Sequence, residues 1–157
     1  MEMTLRFKDF YTQQRTEYDC GVSTIVTVLK HYGLDYKGYN RTQIKLREAQ
    51  KTGTTPVEII ETLRNYGLVI KSGFPKKNQT GLILLNTNKL YSESSEDQNG
   101  HWCFLQYLLE EETQVYDLWA DTKTTYDKRF LQEMTKDVKI KDEIFNGVIL
   151  SVYKEEK

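Results

Sequence analysis

Cysteine and histidine are the two residue types in this chain that could together carry out nucleophilic chemistry. Cys20 ends a polar run and begins an amphipathic stretch in QQRTEYDCGVSTIVTVLKHYG, so its sulfur is expected at a helix N-terminus. Unpaired N–H groups and the positive end of the helix dipole favour an anion there, and a cysteine in such a place has its pKa lowered from about 8.5 to about 3.5–7.5. Cys20 is therefore the candidate nucleophile.

A thiol nucleophile needs a base to take up its proton, and the chain has 2 histidines. His31 lies on the same predicted helix as Cys20, about 16 Å further along its axis, which is too far. It is interpreted as a partly exposed histidine whose charge suits the helix C-terminus. By elimination the base is His101, at the start of a predicted strand. Cys103 shares its strand face and is interpreted as buried packing.

The base in turn needs a carboxylate that fixes its tautomer and orientation. The hairpin from HWCFLQYLL through EEET to TQVYDLW returns the chain antiparallel, so that Asp117 or Asp121 could meet His101. A turn near Glu111 or Glu112 sets Asp117 opposite residues near 105 and Asp121 nearer 101. Simple register therefore does not select Asp117, although bulges and strand twist can move the register by several residues.

Helices are predicted in the first part of the chain. Apolar residues recur at helical spacing from Cys20 to about Tyr32, and Gly33 is a suitable residue to end that helix. The segment RTQIKLREAQ after Asn40 predicts a second helix with a thin apolar face. A third helix follows a capping box in which Thr55 is the N-cap and Glu58 the acidic partner.

After Gly67, which closes the third helix, the pattern changes. Five segments rich in branched and aromatic residues predict strands: LVIKS, LILLN, HWCFLQYLL, TQVYDLW and GVILSVY. A short helix is predicted at residues 126–136. The polar segment SESSEDQNG, residues 92–100, predicts an exposed loop that could act as a lid beside His101. Helices followed by strands predict an α+β domain in which the N-terminal helices pack on a largely antiparallel sheet.

Composition limits the location and partners of the protein. A chain of 157 residues indicates one domain, covering residues 1–157. The net charge of -1 argues against a dedicated nucleic-acid binder or a polybasic membrane protein. No signal peptide and no run of about 18 apolar residues is visible. A cytoplasmic protein with free thiols at Cys20 and Cys103 is expected, with no cofactor.

Three segments resemble the peptidase domain of the bacteriocin-processing, double-glycine leader peptidases, which are papain-like cysteine proteases usually found at the N-terminus of ABC exporters. The segments are QRTEYDCGVSTIVTVLKHYG, TGTTPVEIIETLRNYG and HWCFLQYLLEEETQVYDLW. The family's glutamine and Asp-Cys-Gly motif are matched by Gln14, Asp19, Cys20 and Gly21. Its aspartate follows its histidine by sixteen positions, as Asp117 follows His101. The resemblance therefore selects Asp117 as the orienting residue.

This resemblance implies amide hydrolysis through a thioester in a papain-like fold. Cys20 would attack the scissile carbonyl, His101 would shuttle the proton, and Asp117 would hold the imidazole. Gln14 would stabilise the oxyanion together with the backbone N–H of Cys20. The substrate would be a peptide or protein, and cleavage after two glycines is an extrapolation from the relatives. The chain shows no membrane span and no G-x-x-x-x-G-K-[ST] loop, so it is expected to act alone, beside a separate exporter or partner protein.

Other function classes share parts of this pattern. A zinc site built from Cys20, His31, His101 and Cys103 is disfavoured because Cys20 and His31 lie three helical turns apart. A glutamine amidotransferase would need a Gly-x-Cys-x-Gly elbow, which does not surround Cys20. A transglutaminase-like acyl-transfer enzyme has the same Cys, His, Asp order and stays open. A peptide-binding or protein-binding domain with a papain-like groove also stays open, although retention of all four catalytic positions favours activity.

Overall fold

The computed structural model describes residues 20–37, 39, 54–90, 100–117, 122–140 and 143–155. Within these residues the helices are α1 (Cys20–His31), α2 (Pro56–Asn65), α3 (Thr87–Leu90) and α4 (Lys128–Met134). The strands are β1 (Leu68–Ser72), β2 (Thr80–Asn86), β3 (Gly100–Tyr107), β4 (Glu112–Asp117), β5 (Thr122–Asp127), β6 (Val138–Ile140), β7 (Glu143–Phe145) and β8 (Ile149–Lys154). The helix predicted in RTQIKLREAQ and nearly all of the loop predicted at residues 92–100 lie outside the described residues.

Helix α1 begins at Cys20, as the sequence predicted, and ends at His31, two residues before the predicted glycine. Gly33 has a φ of 70°, the left-handed conformation that a glycine adopts at little cost. The N–H of Gly33 donates to the carbonyl of Lys30, and the N–H of Leu34 donates to the carbonyl of Leu29. These two bonds satisfy carbonyls that the helix end leaves free. The sulfur of Cys20 therefore lies at the start of a helix of defined length.

Helix α2 has the predicted capping box. The side chain of Thr55 accepts a hydrogen bond from the backbone N–H of Glu58, and the Glu58 side chain accepts one from the backbone N–H of Thr55. Pro56 occupies the first turn, where its missing N–H costs nothing. Ile59 and Leu63 are fully buried on the inner face. This helix packs beside β1 and holds that end of the sheet.

Six strands form an antiparallel sheet in the order β1-β8-β2-β3-β4-β5. The five segments predicted as strands correspond to β1, β2, β3, β4 and β8. Strand β5 was not predicted, because its TKTTYD sequence is almost wholly exposed and lacks alternating apolar residues. As an edge strand it is held by backbone pairing with β4. The hairpin of β6 and β7, three residues on each side, was also missed.

Helices cover both faces of this sheet. Apolar residues of α1 and α2 pack on one face, against the side chains of Trp102 and Phe104. Leu131 of α4 packs on the other face, with Cys103 and Leu105. Strand β2 lies between the two layers and is buried along its whole length. The predicted packing of N-terminal helices on an antiparallel sheet is confirmed, and no helix of the described ranges is long and apolar enough to cross a membrane.

Gly21 brings the start of α1 close to β3. A Cβ atom at Gly21 would lie 2.6 Å from the Cβ of Thr54 and 3.1 Å from Cδ1 of Trp102. The indole N–H of Trp102 donates to the carbonyl of Thr54 at 2.7 Å, so this wall is itself held in place. The Thr24 hydroxyl donates to the carbonyl of Cys20 at 2.7 Å. The absence of a side chain at Gly21 therefore sets how closely Cys20 approaches the strand that carries His101.

The Gly21→Ala variant is expected to be less stable than the natural chain. The added methyl group overpacks a buried site, which typically costs about 1–3 kcal/mol of unfolding free energy. Equilibrium unfolding in urea measures the loss, with Glu61→Ala on the exposed face of α2 as the control, expected within about 0.5 kcal/mol of the natural chain. Equal stability of Gly21→Ala and Glu61→Ala would mean that the contact at Gly21 is not tight.

Candidate active site

Strands β3 and β4 bring His101 and Asp117 together. Their register pairs Leu105 with Val115 and Phe104 with Tyr116, so one further step sets Asp117 opposite Cys103. His101 is then the diagonal neighbour of Asp117 on the same sheet face. The two side chains meet with Nε2 of the imidazole 2.9 Å from Oδ1 of the carboxylate.

The expectation that Asp117 would stand opposite residues near 105 was wrong by two positions. Strand β3 ends at Tyr107 and β4 begins at Glu112. The turn is therefore centred between these two residues, earlier in the chain than the assumed centre at Glu111 or Glu112. The ladder is regular up to Tyr116, the residue before Asp117, so no bulge is needed to bring Asp117 near His101. Asp121, the other candidate carboxylate, lies outside the described residues.

The surroundings of His101 favour its protonated form. Burial lowers the pKa of this imidazole, but its interaction with Cys103 and its hydrogen bond with Asp117 raise it more, and Cys20 raises it further. The net result is a pKa of His101 well above its usual 6.5. His101 and Asp117 are only 8% and 6% exposed, so solvent screens their interaction weakly.

Cys20 lies near the same imidazole, at the start of α1. Its thiol helps to raise the pKa of His101, and the residue is 4% exposed. Because Nε2 of His101 faces Asp117, the other ring nitrogen, Nδ1, remains for a thiol. The structure therefore brings Cys20, His101 and Asp117 together from three elements. Gln14, the remaining predicted site residue, lies outside the described residues, as does Asp19.

Cys103 is a neighbour of the imidazole that the sequence assigned only to packing. It is fully buried, as predicted, and its side chain lies beside His101. The ligand atoms of His101, Cys103 and Asp117 all lie within 4.8 Å of one another. Burial raises the pKa of the Cys103 thiol above its usual 9.0, although His101 lowers it. The two-residue spacing from His101 was the signal for this contact.

His31 takes no part in this cluster. Its ring meets Tyr32 edge-on with 4.9 Å between centroids and lies 6.5 Å from the ring of Phe104. Burial lowers the pKa of His31 below 6.5, so the neutral form is favoured at neutral pH. The sequence had favoured a charged histidine at the helix end, and partial burial is the reason for the difference.

These contacts permit a defined sequence of proton transfers. The Nδ1 atom of His101 can take the proton of the Cys20 thiol, giving a thiolate and an imidazolium. Asp117 faces Nε2, where its negative charge stabilises the imidazolium and holds the ring in place. The same imidazolium can then return its proton to a leaving group. This is the arrangement of a cysteine nucleophile with an oriented base.

Asp117→Asn is expected to lower the pKa of His101, because it removes the negative charge that faces Nε2 while keeping an oxygen acceptor. The folded-state pKa of His101 is raised above its unfolded value of about 6.5. Protonated His101 therefore stabilises the fold below about pH 6.5, and this contribution is lost as the pH rises through the folded pKa. NMR titration of the His101 ring measures the shift. Asp35→Asn, at an exposed position, is the control, and an unchanged His101 pKa in Asp117→Asn would contradict the charge interaction.

Comparison with known proteins places this chain among the peptidases. The model of the peptidase C39 family matches residues 8–157. The fold is similar to the peptidase domain of Streptococcus ComA, a bi-functional ABC transporter involved in a quorum sensing pathway. That match has a TM-score of 0.57 and 17% identity, and it covers 92% of this chain and 98% of that chain.

Two further solved structures are similar. One is a double glycine motif protease from an AMS/PCAT transporter in complex with the leader peptide, with a TM-score of 0.51 and 17% identity over 92% of this chain and 91% of that chain. The other is the peptidase domain of Streptococcus mutans ComA, with a TM-score of 0.52 and 12% identity over 92% of this chain and 98% of that chain. No curated protein matches significantly. These likenesses confirm the predicted α+β, papain-like fold.

Proposed function

This chain belongs to the peptidase C39 family and is a cysteine peptidase, and from that premise we propose that it cleaves a peptide after a double-glycine leader sequence. The family resemblance seen in the sequence is thereby confirmed. The hydrogen bond of the buried His101 imidazole with Asp117, near Cys20 at the start of α1, is the observation that best supports the proposed chemistry. The leader peptide bound in one structural relative supports the proposed class of substrate.

In the proposed mechanism Cys20 attacks the scissile carbonyl and forms a tetrahedral intermediate. His101 accepts the thiol proton and then gives it to the leaving amine, which leaves a thioester on Cys20. Water, deprotonated by His101, hydrolyses the thioester and frees the enzyme. Asp117 is the residue that holds the imidazole. In this proposal Gln14 and the backbone N–H of Cys20 stabilise the oxyanion, and losing one such donor typically costs about 10²–10³-fold in rate.

The proposal includes peptide cleavage that needs no part of an exporter. A separate exporter or partner protein would then receive or present the peptide. Free thiols at Cys20 and Cys103 fit a reducing compartment, which supports a cytoplasmic location. Turnover by the purified 157-residue chain alone would establish that no transporter segment is required for the chemistry.

A synthetic peptide library with a central Gly-Gly pair tests the substrate assignment. Mass spectrometry of the products should place the cut after the second glycine, and a matched library in which that glycine is valine should be cleaved far more slowly. Equal cleavage of both libraries would contradict double-glycine specificity. The absence of any product, with intact peptide bound to the protein, would instead support a binding domain.

The same assay separates hydrolysis from acyl transfer. A thioester on Cys20 can be attacked by water or by an amine, so an added primary amine competes for it. Hydrolysis predicts mainly the free carboxylic acid at the cut, even with the amine present. Predominant formation of the amide product would support the transglutaminase-like alternative.

A further inference from the structure

Strand β5 forms one edge of the six-stranded sheet. It pairs with β4 on one side, and within the described ranges no strand pairs with it on the other. Five of its six residues are exposed, and only Tyr126 is partly covered. An edge strand of this kind offers backbone donors and acceptors to a further strand. The outer edge of β5 is therefore a surface on which another chain can pair.

The ladder between β4 and β5 shows which backbone groups of β5 point outward. The register between the two strands is regular along the whole of β5. One step beyond it, the N–H of Lys128 donates to the carbonyl of Glu111 at 3.0 Å. Hydrogen-bonded and non-hydrogen-bonded pairs alternate in an antiparallel ladder, so the even-numbered residues of β5 bond to β4. The backbone groups of Lys123, Thr125 and Asp127 therefore point away from the sheet.

We infer that β5 pairs antiparallel with β5 of a second copy of this chain, in a two-fold symmetric register that sets Thr125 opposite Thr125. The outward-pointing residues alternate along the strand in both copies, so this register joins all of them in hydrogen-bonded pairs. It also sets Lys123 of each copy opposite Asp127 of the other, which forms two pairs of opposite charge. The strand is thus complementary to itself in backbone and in charge, and this selects a second copy as its partner.

Other registers of the same pairing satisfy fewer of these groups. A register with Lys123 opposite Lys123 of the other copy brings like charges together, which destabilises a cross-strand pair. A register with Thr125 opposite Lys123 leaves Asp127 without a β5 residue opposite it. A register with Thr125 opposite Asp127 sets Lys123 opposite a residue of α4, where no strand continues. A lysine on an edge strand normally discourages pairing between edges, and here the same charge selects a single register.

The proposed interface is small, so we expect weak association. Interfaces with less than about 1,200 Å² of total buried area are typical of weak and transient complexes, and two strands of six residues fall in this class. The pairing would join two sheets into one continuous sheet and place the second copy beside β4, the strand that carries Asp117. Dimer formation does not depend on the proposed peptidase function, so it is tested first without an activity measurement.

Sedimentation equilibrium under reducing conditions, from micromolar to millimolar protein, measures the dimer. Lys123→Glu should raise its dissociation constant about tenfold or more, because both charge pairs become pairs of like charge. Asp127→Lys should do the same for the same reason. An equimolar mixture of these two variants should dimerise, because every pair then joins opposite charges. Lys77→Glu makes the same change of charge at an exposed position before β2 and should dimerise like the natural chain.

Thr125→Pro tests the backbone bonds. Proline removes the outward N–H and is tolerated on an edge strand at such a position, so the variant should fold but not dimerise, whereas Thr125→Val should dimerise. Asp127 also caps α4, so circular dichroism checks each fold, and Asp127→Asn, which keeps a capping side chain, should weaken the dimer as well. A natural chain that stays monomeric, a folded mixture that does not dimerise, or a dimer that survives Thr125→Pro would overturn the inference. A monomeric chain that loses peptide cleavage in Thr125→Pro would assign the edge to the peptide instead.

Discussion

Cys20→Ala is expected to reduce cleavage of a double-glycine peptide by about 10⁴–10⁶-fold, the scale on which removal of a nucleophile acts in hydrolases that use a covalent intermediate. Alanine cannot form the thioester, and binding and oxyanion stabilisation alone retain only a small residual rate. The change should lower kcat while leaving peptide binding largely intact. Steady-state cleavage and peptide binding by Cys20→Ala measure the two effects separately.

Cys103→Ala is the matched control for that prediction, because it removes the chain's only other thiol. Both cysteines are buried, so each alanine variant leaves a small cavity of similar size. Cleavage by Cys103→Ala should exceed that by Cys20→Ala by at least about 10³-fold, since only Cys20 is expected to form the covalent bond. Comparable losses in the two variants would remove the distinction between the thiols, and undiminished turnover by Cys20→Ala would rule out Cys20 as the nucleophile.

His101→Gln is the change with the second largest expected effect, a loss of about 10⁴–10⁶-fold in kcat. Glutamine keeps a polar side chain that can reach Asp117, but it cannot take the proton of Cys20 or return one to the leaving amine. The pH dependence of kcat/KM should also change, because a limb that reports the imidazole disappears with it. Cleavage rates measured between pH 5 and pH 10 test both points.

His31→Gln is the matched control for the base, since it alters the chain's only other histidine. His31 contacts Tyr32 and Phe104 and lies outside the cluster around His101, so this variant should keep the natural pH profile. A pH profile of His101→Gln that matches that of the natural chain would show that another group serves as the base.

Local sequence signals predicted the elements whose ends depend on local contacts. The start of α1 at Cys20, its end shortly before Gly33 and the capping box of α2 each depend on residues within one helical turn. Their hydrogen bonds can be read from residue type and spacing. The edge strand β5 could not be found in this way, because its exposed side chains have no pattern and its position depends on pairing with β4.

The candidate site was predictable to different degrees. His101 followed from the requirement for a base and the distance of His31 along α1. Asp117 did not follow from the register assumed for the hairpin. The exact position of the turn decides which residues of β3 and β4 face each other, so an error of two positions in the register gives each residue a different partner. The family resemblance supplied that residue. Strand alternation placed Cys103 on the same strand face as His101, but the sequence assigned it only to packing, and its closeness to Asp117 required the β4 register.

The most direct test of the nucleophile and its base is the rate at which iodoacetamide alkylates each cysteine near neutral pH. Peptide mapping by mass spectrometry follows Cys20 and Cys103 in the same sample, in the natural chain and in His101→Gln. Cys20 should react faster than Cys103 in the natural chain, and this advantage should fall when His101 is replaced. Equal alkylation of the two thiols, or a Cys20 rate unaffected by His101→Gln, would contradict a thiolate held by that imidazole.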